Sequence, residues 1–123
     1  MAGFMSLAAQ AADLVVIGHP SAAAMTKDQV ADLFLGKTTS ATPVDQVETG
    51  AVYADFYKKA AGRDVAQVKS TWSRIVFSGK GQPPKQMPDN AAVKKAVAAD
   101  PKAVGYIEKS ALDGTVKTLL ELN

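Results

Sequence analysis

The sequence predicts an α/β sandwich, with helices covering a small and partly parallel sheet. Three observations predict it. A β-branched run, Asp13 to His19, opens the chain's ordered-looking part. Four helical stretches with recognisable ends follow it, and strand-like runs return at Val104 to Ile107 and at Thr115 to Leu120. The expected order is β-α-(β)-α-α-α-β-β.

Leu14-Val15-Val16-Ile17 is apolar at every position and stops at Pro20, as in a strand buried on both faces. Thr26 and Gln29 have capping-box spacing, Val30, Leu33 and Phe34 form an i, i+3, i+4 face, and Gly36-Lys37 ends the first helix. Thr38 to Pro43 reads as a polar loop, and Pro43-Val44-Asp45 as a short strand. The second helix runs from Ala51 to Ala61, with Val52, Tyr53, Phe56, Tyr57 and Ala60 on one side and Gly62 after it. Asp64 and Gln67 repeat the capping box. Val65, Val68, Trp72 and Ile75 then make the third helix's buried stripe, with Arg74 opposite. Gly79-Lys80-Gly81 stops that helix, and Pro83-Pro84 imposes an extended, irregular segment. The fourth helix spans Asn90 to Ala99, between Asp89 and Asp100-Pro101.

The chain has 123 residues, enough for one domain, and its 47% hydrophobic and 21% charged residues are those of a globular protein. Without cysteine, disulfides, zinc–thiolate sites and thiol catalysis are excluded. Net charge is +2, from 14 basic and 12 acidic residues. Seven basic residues between Lys58 and Lys85 stand against one acid, Asp64, which reads either as a solvated helix face or as a surface for an anionic ligand or an acidic partner. Residues 1–11 carry no charge and contain Ala9-Gln10-Ala11, an A-x-A cleavage signature after a short apolar run. They read as the remnant of a signal peptide, with a domain over 12–123 that is exported to the periplasm as a soluble protein. Export argues against nucleic acid as a partner.

No G-x-S-x-G, P-loop, G-x-G-x-x-G or H-x-x-x-H pattern occurs, and no nucleophile–base pair is visible, so neither catalytic residues, metal ligands nor a cofactor are expected. Small anions need only backbone N–H groups at a helix start and a hydroxyl or cation nearby. Ser21, between the first strand and first helix, and Thr49-Gly50, before the second helix, offer these, and both are also ordinary caps. His19, at the first strand's carboxyl end, is a further candidate contact, or a structural residue.

Leu14-Val15-Val16-Ile17, Thr26 through Lys37 with its Phe-Leu-Gly-Lys ending, and Val104-Gly105-Tyr106-Ile107 resemble the periplasmic phosphate-binding proteins of bacterial phosphate ABC transporters. Trp72 through Pro84 resembles a short-chain branch of that family. The resemblance implies a type-II periplasmic binding-protein fold of single-lobe size, no enzymatic activity, and phosphate or a related oxyanion as ligand. Ser21, Thr49, Gly50, His19 and Arg74 would then form a half-site that a homodimer completes, with an ABC transporter membrane component or another periplasmic protein as partner. The family's Arg-x-x-Gly-Ser-Gly-Thr phosphate pattern is replaced here by Val44-Asp45-Gln46-Val47-Glu48-Thr49-Gly50-Ala51, which lacks the arginine and adds Glu48. The rival expectation is therefore an exported interaction or accessory protein that keeps the fold and has lost the anion site.

Overall fold

The computed structural model describes residues 13–122. The expected leader, 1–11, and the domain start at Ala12 lie outside the described residues. Five strands, β1 (Leu14–Gly18), β2 (Thr42–Gln46), β3 (Lys85–Met87), β4 (Ala103–Glu108) and β5 (Lys117–Leu122), form one sheet in the order β3-β2-β4-β1-β5. Among the described residues four α-helices accompany them: α1 (Lys27–Phe34), α2 (Ala51–Ala61), α3 (Val65–Phe77) and α4 (Asn90–Ala99). The sheet is mixed. β2 is parallel to β3 and β4, whereas β1 is antiparallel to β4 and β5.

The connections explain the layering. From β2 the chain crosses through α2 and α3 to β3 on one side, then returns through α4 to β4 on the other side of β2. Parallel crossovers share one hand, so two that travel in opposite directions along a sheet place their helices on opposite faces. The strands' period of two supplies a core for each face. Leu14, Val16, Val104 and Tyr106 pack with Val30, Leu33, Phe34, Phe56, Tyr57 and Val68. Val15, Ile17, Val44, Ala103 and Ile107 pack with Val93 and Val97 of α4. On that second face Gly105 is required by close approach, since a Cβ there would stand 2.6 Å from Val93 Cγ1.

The α/β sandwich expected from the sequence is thus the architecture found. The capping boxes at Thr26 and Asp64 form, with Gln29 N donating to Thr26 Oγ1 at 3.1 Å and Gln67 N to Asp64 Oδ1 at 2.8 Å. Three local expectations change. The segment after Pro83-Pro84 is not irregular throughout, because Lys85–Met87 pairs in parallel with Val44–Gln46 as a short edge strand; proline is tolerated just before such an edge. The last strand sits two residues later than expected, and β2 takes in Thr42 from the supposed loop. In α3 only Val68 is fully buried, while Val65, Trp72 and Ile75 are half-buried. That helix lies over the outer margin of the domain, with one flank bordering a groove.

Candidate functional site

The groove runs between α3 and the sheet margin made by β2 and β3, and its volume is about 460 Å³. β2 places Asp45 at its floor and the following turn places Glu48 at its rim. Trp72, Ser73, Val76 and Phe77 line it from α3, and Pro83, Pro84 and Gln86 from the approach to β3. Lys69 and Tyr53 complete the wall. Phe77 is 95% exposed at the end of α3, beside the exposed Val76. A side chain of that size is ordinarily withdrawn from water.

Asp45 is the buried charge in this wall, 2% exposed. Alternation along β2 turns Val44 toward α4 and Asp45 toward the aromatic face, where the Tyr57 hydroxyl donates to Oδ2 at 2.6 Å. The Tyr106 hydroxyl and the Gln46 backbone N–H donate to Oδ1, the latter at 3.1 Å. Burial raises the Asp45 carboxyl to about 6, against the lowering effect of these donors. Burial and the neighbouring Asp45 charge push both Tyr57 and Tyr106 far above the usual phenol range, so they remain donors. Tyr53 is pushed up to about 12 by burial and by the Asp45 and Glu48 carboxylates. The tyrosines belong to an aromatic cluster, with Phe56 stacked on Tyr106 at 3.7 Å and Tyr53 against Tyr57 at 4.8 Å.

The remaining polar groups leave little for an anion. Lys69 is paired with Glu48 at 2.9 Å, and this bridge holds the Glu48 carboxyl below its usual range. Glu48 N donates to Gln86 Oε1 at 3.4 Å. Trp72 turns its indole N–H inward to the Phe34 carbonyl at 3.0 Å. Its ring edge packs on Gly36, whose φ of +80° and lack of a side chain both suit that contact.

The five residues expected to form a half-site are not gathered by the fold. Gly18 at the end of β1 pairs with Val104 at the start of β4, where Pro43 of β2 also pairs. Because β1 and β2 run in opposite directions, His19 and Ser21 leave the sheet at one end and Thr49-Gly50 at the other. Thr49 and Gly50 lie in the turn that carries Glu48, and Gly50 caps α2 with no side-chain hydrogen bond. Arg74 is exposed in the last turn of α3, off the groove-lining residues. A nucleophile–base contact that the sequence did not reveal does form, His19 Nδ1 to Ser21 Oγ at 2.8 Å. Ser21 N also donates to His19 Nδ1 at 3.1 Å, so the contact closes a two-residue turn at the surface. Among the described residues, no group of three or more His, Asp or Glu is placed to hold a metal ion, and no helix is long and apolar enough to cross a membrane.

The basic residues from Lys58 to Lys85 are likewise divided. Lys59 bridges Asp55 at 3.1 Å along α2 and Lys69 bridges Glu48, so the segment does not present seven unpaired cations.

The geometry is that of a lobe-sized α/β domain with a groove at its margin. It superposes on an ABC-type phosphate transport receptor from Vibrio cholerae with a TM-score of 0.67 at 16% identity, over 88% of this chain and 46% of that one. It superposes on a putative phosphate ABC transporter substrate-binding protein with bound phosphate from Clostridium perfringens with a TM-score of 0.65 at 17% identity, over 88% of this chain and 45% of that one. The fold is therefore that of these receptors, and the chain spans less than half of their length. No family model and no curated protein sequence matches it.

Proposed function

We propose that this chain is an exported, non-enzymatic binding module that keeps the transport-receptor fold and uses the α3 groove for an occupant other than an anion. The observation that carries this reading is the buried Asp45 in the wall of a largely apolar groove of about 460 Å³, within the size range of small-molecule sites. Phosphate or another small oxyanion is what the two receptors suggest, with Thr49, Gly50 and the first amides of α2 as donors. The charges of the groove weigh against it: two carboxylates, Asp45 and Glu48, face one cation, Lys69, already paired with Glu48. Attraction of an anion to a helix start is worth about 0.3–1 kcal/mol at an exposed site, too little to offset a nearby carboxylate.

Export is supported by Ala9-Gln10-Ala11 and fits a partner such as a transporter membrane component or another periplasmic protein. A second copy would supply an opposing wall for the groove; light scattering that gives a strict monomer with and without ligand removes the dimer. Isothermal titration with phosphate and with sulfate tests the central reading. No heat at millimolar anion is the expected result, and saturable binding in the micromolar range restores the oxyanion site.

A further inference from the structure

We infer that the groove is built for an organic cation, a small alkyl- or arylalkylammonium whose head reaches Asp45 and whose hydrocarbon lies along Tyr53, Trp72 and Phe77. The inference rests on the groove being the binding site and adds the class of its occupant.

Three features of the wall point the same way. The first is charge. With Lys69 neutralised by Glu48, Asp45 is left as the uncompensated charge of the lining, and it is negative. The second is the arrangement of lone pairs on Asp45. A carboxylate has about four acceptor sites. Oδ1 takes the Tyr106 hydroxyl and Gln46 N, while Oδ2 takes the Tyr57 hydroxyl and keeps a second site. An ammonium N–H can fill it, and a charge-assisted hydrogen bond of that kind is about twice as strong as a neutral one.

The third is the surface around the carboxylate. Tyr53, Trp72 and Phe77 provide aromatic rings, and cations are drawn to the faces of such rings, most strongly to indole. The Trp72 N–H is engaged by the Phe34 carbonyl, so the indole offers the groove carbon surface and no donor. Pro83 and Pro84 add hydrocarbon without backbone N–H groups. A neutral apolar molecule would leave the Asp45 charge without a counterion, and an anion would be repelled by it. An organic cation satisfies both the charge and the rings.

Trp72 is the chain's single tryptophan and lines the groove, so its fluorescence reports occupancy directly. The full chain is titrated at about pH 8, where Asp45 is ionised, with n-hexylammonium, hexan-1-ol and hexanoate, and separately with inorganic phosphate. The expected result is a saturable change with n-hexylammonium at an affinity at least about tenfold above that for hexan-1-ol, and none with hexanoate or phosphate. Asp45→Asn should weaken the amine about tenfold or more. Phe77→Ala removes a side chain that is 95% exposed, leaves folding intact, and should weaken it about threefold. Equal affinity for the amine and the alcohol overturns the cation inference and leaves the groove as the site. Preference for hexanoate or phosphate overturns both and restores an anion site. No response to any probe removes the groove itself as a small-molecule site.

Discussion

The Tyr57 hydroxyl donates to Asp45 Oδ2 at 2.6 Å and ties the middle of α2 to the end of β2. Tyr106 does the same from β4 through Oδ1, so one carboxylate joins a helix and two neighbouring strands beneath the groove. Burial makes the charge costly, and the hydroxyls offset part of that cost. Tyr57→Phe and Tyr106→Phe should each lower stability by about 1–3 kcal/mol, because each leaves a buried carboxylate oxygen with one fewer donor. Urea unfolding measures the loss. Both substitutions should also raise the Asp45 carboxyl further, since both hydroxyls hold it down.

The raised Asp45 carboxyl has a signed consequence for stability. The folded state holds this proton up to about pH 6, whereas the unfolded chain releases it near the ordinary carboxyl value of 3.8. Between those values the folded state binds more protons, so the contribution is present below about pH 4 and is lost as pH rises through about 6. The shift corresponds to about 3 kcal/mol. Asp45→Asn should remove this slope. Unfolding midpoints of the two proteins, compared across about pH 4 to 8, isolate it from the other carboxylates. Parallel curves would assign Asp45 an ordinary carboxyl.

Binding of an organic cation should follow the opposite trend. Protonation of Asp45 removes the counterion, so affinity for an alkylammonium falls as pH drops through about 6 and is flat above about 7. The amine keeps its charge throughout. A titration of Trp72 fluorescence at several pH values reads this directly, and Asp45→Asn should lose the dependence.

Much of this fold is legible in the sequence because local signals and tertiary packing agree. Ala51–Ala61 is bounded by Gly50 and Gly62, with its apolar residues at helical spacing, and those are the limits of α2. Leu14–Gly18 is apolar throughout and is buried on both faces. β3 is hidden because it has three residues behind two prolines, and only its partner β2 makes it a strand. His19 and Ser21 stand apart from Thr49 and Gly50 for a topological reason. Element order does not state that β1 runs against β2, and that direction sends the two loops to opposite ends of the sheet. Asp45 carries a signal that composition passes over. An acid between Val44 and Gln46 at the buried end of a short strand, with tyrosines on two packing elements, asks where the carboxylate and the hydroxyls find partners.

Gly105 tests the packing of the second face. Gly105→Ala would set a methyl group 2.6 Å from Val93 Cγ1 and 3.2 Å from Val97 Cγ2. Overpacking of this kind costs about 1–3 kcal/mol. Gly105→Ala combined with Val93→Ala should recover most of that loss if the contact is its cause, as thermal unfolding of the two variants would show.

The capping box that starts α3 matters to the groove because α3 supplies its outer wall. Asp64→Ala removes the Oδ1 acceptor for Gln67 N and should cost about 1 kcal/mol. Asp64→Ser should restore most of the stability. Amide exchange should quicken first in the opening turn of α3.

A two-dimensional amide NMR titration of the full chain with n-hexylammonium and, separately, with phosphate tests the placement of the binding face most directly. Perturbations should gather at Asp45 to Tyr53, at Lys69 to Phe77 with the Trp72 indole, and around Gln86, and phosphate should move none of these. Saturable shifts with phosphate at Thr49 to Tyr53, or with either probe at His19 to Ser21, would contradict a cation-seeking groove on the α3 margin.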